Sequence, residues 1–573
     1  METKTVKRLP YGNSNFESIM TGNYAYVDKT RFVEQLENEP NKYQFFIRPR
    51  KFGKSLFFSL LEHYYDINRA KNFEKLFGEL YIGKHPTPQK NAYAVMDFDF
   101  SSIDTYDEES FRHSFSQRIQ GSVRQFLNIY RNIFSDAERY IQQIDTEKPG
   151  IQSLQLATAA AESAGVKIFI IIDEYDHFAN DLIAMGTHLG KDVYHNVIHA
   201  NGSVRDFYEA LKIGTKTVIE RIFITGISPV MLDDLTSGFN IAVNLTLEPR
   251  YNEMMGFTQQ EVEALMLETG VDPNLIIVDM EAYYDGYLFH KAGEHRVYNP
   301  SMILYLFYQI LQSKMPPENI IDDNLKTDYS RLRRMVQNED NRNTLTKIIQ
   351  DNGIISDIIN KFTIDRLEDT KYFISLLFYM GLLTVDKAVE GSLRLKIPNY
   401  SIRTVYWEYL EQMTLEWNKE VTIDVRIQSA AVRELAYRGN LNPYIEYVSQ
   451  NIFSRLSNRD LQQFNEKHIK IMLLNGLFQS NLYIPLTEKE VEHGYIDIFL
   501  QRNPLIPDVK YEWVWEIKYL PVKSWRVTSK TRDAARAQLT KYRNAREFAG
   551  RSDMRFASII FIGKDKFEIE EMK

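Results

Sequence analysis

Cysteine is absent from this 573-residue chain. That excludes disulfides, cysteine-ligated zinc and thiol nucleophiles, and it permits a reducing compartment. Long hydrophobic runs are also missing. None reaches the ~18 apolar residues of a membrane helix, and the longest, at 168–172 and 372–385, suit buried strands or helices. The opening residues METKTVKRLPYGNS have no apolar core, so no signal peptide is expected, and a cytoplasmic protein without a membrane partner is. Overall positive charge is lacking. The net charge of −8 does not suggest a wholesale nucleic-acid binder. There is no G-x-S-x-G, and the 11 histidines show no metal-ligand spacing.

The remainder is an ordinary globular composition, 44% apolar and 25% charged, with ample core. A length prior of roughly 150 residues per domain gives about three to four domains. Up to residue 250, short apolar runs at 43–47, 93–100, 167–173 and 221–225 alternate with helical patterns. Such alternation predicts a parallel α/β sheet with crossover helices. From 254 to 400 the texture becomes helical. Thr258 and Glu261 stand at capping-box spacing. An apolar helix at 372–380 precedes a hairpin of 382–385 with 393–397, a winged-helix-like element. After a mixed connector at 418–442 come a helix at 461–477, strands at 494–500 and 511–519, a helix at 532–548 and a strand at 556–563. We therefore expect three domains: 1–250 a P-loop core, 251–420 a helical lid, and 421–573 a second α/β domain.

Residues 47–55 read Ile-Arg-Pro-Arg-Lys-Phe-Gly-Lys-Ser, between an apolar strand and an apolar helix. Strand, loop and helix are the context of a phosphate-binding loop. Backbone N–H groups and a helix N-terminus cradle phosphates, Lys54 reaches their oxygens, and Ser55 holds magnesium. Arg50, Phe52 and Gly53 complete the loop. The usual first glycine is missing; Arg48 stands there. A glycine turn with a surface lysine is the plain alternative. Downstream, the apolar strand 168–172 ends in Asp173-Glu174. Asp173 suits the metal shell, and Glu174 suits orienting or deprotonating water. The plain alternative is a core strand followed by a solvated acidic turn, Asp173 to Asp176. Thr225 and Ser228, at the tip of the next strand, could sense the terminal phosphate or simply form a turn around Gly226 and Pro229. Arg50, Lys51 and Arg221 are candidate finger cations.

The C-terminal part carries Asp497 in Gly494-Tyr495-Ile496-Asp497, then Glu516 and Lys518 two residues apart on one strand face. Two carboxylates can bind Mg²⁺, and the lysine can position or activate water for attack on a phosphodiester. An isolated E-x-K is common on exposed strands. Glu488, Glu490 and Glu492 precede it, offering a further metal ligand or a solvated loop. Gln538 and Tyr542 share a helix face, with Lys541 nearby. An ordinary amphipathic helix would look the same. Between Lys518 and Arg555 there are eleven Lys/Arg and three acids. Lys523, Arg526, Lys530, Arg532, Arg536, Lys541, Arg543 and Arg546 offer phosphate contacts or a solvated face.

Taken together, these residues resemble a bacterial architecture: an AAA-ATPase-like domain followed by a PD-(D/E)XK nuclease-superfamily domain. The resemblance rests on Tyr26-Val27-Asp28-Lys29-Thr30, the 48–55 loop, Ile172-Asp173-Glu174-Tyr175-Asp176, Thr225-Gly226-Ile227-Ser228-Pro229, Gly256-Phe257-Thr258, Tyr284-Asp285-Gly286-Tyr287, Tyr298-Asn299-Pro300 and Ile397-Pro398-Asn399. A loop of this form without the first glycine, with Arg48 in its place, is usual for that family. The resemblance implies Lys54 and Ser55 as Walker A residues, Asp173 and Glu174 as the Walker B pair, and Asp497, Glu516 and Lys518 as a nuclease triad. It implies Gln538 and Tyr542 as a Q-x-x-x-Y motif facing nucleic acid, and Glu490 as the upstream metal ligand. The implied cofactors are ATP and Mg²⁺, and the implied partner is DNA, with a homo-oligomer allowed. The expected function is an ATPase coupled to a DNA-cutting nuclease, compatible with genome defence or mobile-element control. A regulatory NTPase switch that binds nucleic acid or protein without cutting is the alternative, and an interaction scaffold with an inactive P-loop is the third.

Overall fold

The computed structural model describes residues 6–572 other than 148–149, 186–187, 199–201, 235–238, 318–320, 323–335, 337, 418–423, 452, 454–465, 479, 493, 522–527 and 564–565. The chain forms two compact units. One comprises 1–276, 280–342 and 355–399; the other 277–279, 343–354 and 400–573.

The N-terminal unit is built on five strands: β1 (Tyr43–Ile47), β2 (Ala94–Asp99), β3 (Ile168–Asp173), β4 (Ile219–Gly226) and β5 (Val243–Asn244). Their order is β2-β3-β4-β1-β5, and every pairing is parallel. β3 has no exposed residue on either face, which is why its sequence is continuous Ile and Phe rather than an alternation. Helices α1 (Lys54–Tyr65), α2 (Glu108–Ile129), α3 (Gly150–Ala164), α4 (His177–Met185) and α5 (Ser203–Gly214) connect the strands. This parallel sheet is the P-loop NTPase fold class that the sequence predicts.

Beyond it, α6 (Gln259–Thr269) opens with the expected capping box. Thr258 accepts from the Glu261 N–H, and the Glu261 carboxylate accepts from the Thr258 N–H. Then come α7 (Pro300–Ser313), β6 (Ile354–Ser356), α8 (Thr370–Tyr379), β7 (Thr384–Val389) and β8 (Ser392–Lys396). β7 and β8 form the expected hairpin. Its two turn residues, Glu390 and Gly391, both have positive φ, the backbone that a two-residue turn requires.

The C-terminal unit has α9 (Glu466–Phe478), β9 (Tyr483–Val491), β10 (Gly494–Arg502), β11 (Glu512–Leu520), α10 (Thr528–Arg543), β12 (Met554–Ile562) and β13 (Lys566–Met572). The sheet order is β13-β12-β11-β10-β9. Only β11 and β12 run parallel, with α10 between them in the chain. α10 packs Leu539 and Tyr542 onto Ile496, Val514 and Phe556 of the sheet. β9 and β13 were not anticipated. The Glu488–Glu492 stretch, for which a further metal ligand or a solvated loop was expected, lies mostly in β9.

Candidate functional sites

The 48–55 loop leaves β1 and turns into α1 through Gly53, whose φ is +92°. A Cβ there would meet nothing within 4 Å, so backbone conformation alone demands glycine. Ser55 donates from Oγ to Asp173 Oδ2 at 3.1 Å. The loop and the end of β3 therefore meet side chain to side chain. Lys54 Nζ donates to the carbonyls of Arg48 (3.0 Å) and Pro49 (2.9 Å). Burial lowers the Lys54 pKa against the pull of Asp173 and Glu174. Burial also pushes the Asp173 carboxyl up to about 6, opposed by Lys54. Glu174 has a φ of +49° and lies 3.0 Å from His177 Nδ1. The contact is an ion pair when His177 is protonated, and Glu174 raises the His177 pKa. On the ring's other side, His177 Nε2 is 3.4 Å from Asp181. The His177 contact, first among the causes, lowers the Glu174 pKa from its ordinary value, against burial. Sequence reading missed His177, although its spacing of three from Glu174 on a helix start could have revealed it.

A cleft of about 600 Å³ opens over this loop. Gly53, Lys54, Ser55, Glu174 and His177 form its polar end, and Tyr26, Val27, Met254, Met255 and Leu304 its apolar part. Arg50 also lines it. Phe52 touches the cleft, but its ring is buried edge-on against Tyr287 (4.9 Å) and Phe289 (5.6 Å).

Several residues singled out from sequence do scaffold work instead. Arg48 is fully buried. Its guanidinium donates to the carbonyls of Ile47 (3.0 Å), Thr246 (2.9 Å) and Tyr251 (2.8 Å), and it lies 4.2 and 4.0 Å from the Phe46 and Phe289 ring centres. Thr225 is buried and donates to the Phe46 carbonyl at 2.8 Å, joining β4 to β1. Asp176 is not solvated. It is wholly buried and accepts from Ile227 N (3.0 Å), Ser228 N (2.7 Å), Ser228 Oγ (2.8 Å) and Asn180 Nδ2 (2.6 Å). This clasp ties the segment after β3 to the segment after β4. It also explains Gly226, where a Cβ would come within 2.2 Å of Asp176 Oδ1. Arg221, at the opposite end of β4 from Thr225, donates to the Leu36 carbonyl.

In the C-terminal unit β10 and β11 pair as far as Ile498↔Trp515. One residue further, the Asp497 carboxylate replaces the ladder and accepts from Ile517 N at 2.7 Å. Glu516 therefore lies beside Asp497. Lys518 Nζ is 2.9 Å from Glu516 Oε1 and 3.9 Å from Asp497 Oδ2. Glu516 is 1% exposed, and neither of its oxygens has an aligned hydrogen-bond donor. Its Lys518 contact is thus Coulombic. Burial first, then Asp497, push its carboxyl up to about 7. A buried carboxylate with open lone pairs beside a second carboxylate is a donor set that fits a hard divalent cation.

The upstream acid is corrected. Glu490 is exposed, on β9 opposite Tyr495, and no contact brings it to Asp497. Glu466, at the start of α9, lies 3.5 Å from Lys518, and burial raises its carboxyl. Lys470, one turn later, lies 2.5 Å from Asp497 Oδ1 and 2.8 Å from Glu488. Neither was anticipated, because α9 is separated in sequence from the D…E-x-K strands.

Gln538 and Tyr542 do meet. Gln538 Nε2 donates to Tyr542 Oη at 2.6 Å, and Tyr542 Oη donates to the Tyr495 carbonyl at 2.6 Å. Tyr542 is buried and offers no surface to a nucleic acid; Lys541 is exposed. Arg532 forks onto Glu568, and Arg536 reaches Glu570 at 3.2 Å. Part of the basic run is thus matched by acids of β13. Lys523 and Arg526 lie outside the described residues.

The chain can now be set beside known proteins. Residues 10–236 match the family model AAA-ATPase_like, described as a predicted AAA-ATPase, and 464–571 match a PD-(D/E)XK nuclease superfamily model. The chain carries an AAA-ATPase-like domain followed by a PD-(D/E)XK nuclease-superfamily domain. It is 27% identical over 302 residues to an uncharacterised protein in the vnfD 5′ region of Azotobacter chroococcum mcd 1, a match covering 52% of each. The chain spans about half the length of that curated relative. Similar solved structures include the Walker-type ATPase PABY2304 of Pyrococcus abyssi (TM-score 0.36, 14% identity, 66% of this chain and 94% of that one). The ORC2 protein of Aeropyrum pernix in ADPNP–ADP complexes is another (TM-score 0.29, 12% identity, 72% and 97%). Among the described residues no helix is long and apolar enough to cross a membrane.

Proposed function

We propose that this chain binds and hydrolyses ATP in its N-terminal unit and cuts DNA phosphodiesters in its C-terminal unit. We take 1–250 as the ATPase core, 251–420 as its lid and 421–573 as the nuclease domain, with genome defence or mobile-element control as the setting. One observation carries the nuclease half. Glu516 is buried with neither oxygen hydrogen-bonded, beside Asp497, and its Oε1 faces the Lys518 ammonium at 2.9 Å. The ATPase half is supported by the Ser55–Asp173 bond at the mouth of a cleft lined by Gly53 and Lys54.

In this reading Lys54 exchanges the Arg48 and Pro49 carbonyls for phosphate oxygens. Glu174 orients the attacking water, and His177 holds the Glu174 carboxylate in place. Tyr26, Val27, Met254 and Met255 form the wall for the base. Arg50 reaches the polar end from the loop. At the second site, Asp497 and Glu516 would hold a divalent cation, with Glu466 nearby, and Lys518 would steer water toward the scissile phosphorus. Magnesium at each site, when bound, supplies Lewis acidity and neutralises charge on phosphate.

The test is plasmid cleavage by the full chain with Mg²⁺ and ATP, beside Lys54→Ala and Asp497→Ala. Cleavage lost in Asp497→Ala is the expected result. An intact plasmid under every metal and nucleotide condition would refute the nuclease half. Absence of stabilisation by Mg-ATP in wild type would refute the ATPase half. A switch that binds without cutting is favoured by one observation, that Lys470 already pairs with Asp497. Plasmid binding without nicking, unchanged in Asp497→Ala, would select it.

A further inference from the structure

Lys470 enters the acidic cluster from α9, and the roles assigned so far leave it unused. Its ammonium lies between Asp497 Oδ1 (2.5 Å) and Glu488 Oε1 (2.8 Å), with its side chain 9% exposed. Lys518 approaches from the other side, toward Glu516, Glu466 and Asp497 Oδ2. Asp497 thus stands between two ammonium groups. Its Oδ1 is taken by Lys470, and its Oδ2 already accepts from Ile517 N. The cluster holds four carboxylates (Glu466, Glu488, Asp497, Glu516) and two ammonium groups. With all ionised, the remainder is two negative charges, the charge of one divalent cation. Glu516 carries no aligned hydrogen bond on either oxygen, and its Oε2 has no ammonium beside it as Oε1 has in Lys518. A two-metal phosphodiester site needs ions roughly 3.5–4 Å apart, bridged by carboxylates that are free to serve both.

We propose that the Lys470 ammonium stands where a second divalent cation would otherwise sit, so that the C-terminal site loads a single metal ion, on the Glu516 side of Asp497. Lysine suits this part. It is a compact point charge on a flexible stem, whereas a guanidinium is planar and forked. The inference rests on reading this cluster as a nuclease metal site.

The experiment counts Mn²⁺ bound to the nucleotide-free full chain by titration and electron paramagnetic resonance. Asp497→Ala identifies the ions that belong to this site. Wild type should hold one Mn²⁺ that Asp497→Ala removes. Lys470→Met, or Lys470→Gln if the first does not fold, should hold two, with the line broadening of neighbouring ions. Lys470→Arg should still hold one. Two Asp497-dependent ions in wild type would overturn the proposal, as would a single ion in Lys470→Met and Lys470→Gln. If no Asp497-dependent Mn²⁺ binds to any of these proteins, the metal-site reading itself falls and takes this inference with it.

Discussion

Replacing Arg48 by methionine is the sharpest test of the N-terminal unit. The position is where phosphate-binding loops usually carry a glycine, and the structure gives it a purely internal task. The guanidinium makes three hydrogen bonds to main-chain carbonyls at 2.8–3.0 Å and touches two ring faces. No carboxylate pairs with it in these contacts, and burial pushes its pKa down to about 9. A methionine keeps the stem and the ring contacts but strands three carbonyls. Each unsatisfied acceptor costs about 1–3 kcal/mol, so the gross loss is about 3–9 kcal/mol. Relief of the buried charge returns part of that, which leaves a net loss near the lower end, about 3–4 kcal/mol. That loss should appear locally, where the carbonyls are. Hydrogen exchange in peptides covering β1 and β4 should speed up by about 10²–10³-fold, at 1.4 kcal/mol per decade. Mg-ATP binding should fail as well, because Lys54 is anchored on the Arg48 and Pro49 carbonyls. Arg48→Lys should recover little, since one ammonium cannot span three carbonyls. Arg48→Gly restores the familiar loop glycine and should be as damaging as methionine. Unchanged exchange in β1, together with normal nucleotide binding in Arg48→Met, would refute this account.

The clasp around Asp176 predicts that Asp176→Ala, which strands the Ile227 and Ser228 N–H groups, costs about 2–6 kcal/mol at about 1–3 kcal/mol each and abolishes ATP turnover without touching nucleotide; urea unfolding beside an ATPase assay checks it. Metal binding at the C-terminal site should depend on pH through Glu516. Its folded pKa of about 7 exceeds its ordinary value of 4.5, so the folded state holds the extra proton between those values. Stability contributed by the protonated form is therefore lost as pH rises through 7, while the carboxylate that binds metal appears. Mn²⁺ affinity should rise about tenfold from pH 6 to pH 8, and Glu516→Gln should flatten that dependence. Tyr542→Phe removes the link between α10 and the Tyr495 carbonyl, at about 0.5–1.5 kcal/mol. Cleavage should fall while plasmid affinity holds, because the hydroxyl positions the strand carrying Asp497 rather than the nucleic acid.

Four strands of the N-terminal sheet were legible because each is a mainly apolar run set between helical patterns, whereas β5, two residues long, was not. β3 is the clearest case, since burial on both faces leaves no room for alternation. The capping box of α6 and the β7–β8 hairpin were legible for local reasons, a spacing of three and a two-residue turn. What escaped notice was tertiary. β9 carries Thr487, Glu488, Lys489 and Glu490 in succession and reads as solvated. Yet β10 covers one edge of it, and Lys470 neutralises Glu488. Glu466 and Lys470 reach the site from a helix whose sequence shows no feature of that chemistry. Asp176 looked like one more acid in an exposed turn, and only the fold supplies its four donors.

A division of labour within the motifs follows from these placements. Of the residues that made the resemblance recognisable, Arg48, Asp176, Thr225, Ser228 and Tyr542 are buried and bonded to the main chain or to one another. They fix strand ends. Lys54, Ser55, Asp173 and Glu174 in one unit, and Asp497, Glu516 and Lys518 in the other, are the groups left facing a cleft or one another with charge to spend. A chain could lose the second set and keep the first, and it would retain its fold and its resemblance without activity. Ser55→Ala and Lys518→Ala, at side chains that are not buried, should therefore leave unfolding midpoints nearly unchanged while weakening Mg-ATP binding and cleavage. Arg48→Met and Asp176→Ala should lower stability and function together. Variants of the two sets with indistinguishable unfolding profiles would mean that scaffold and chemistry are not separable in this chain.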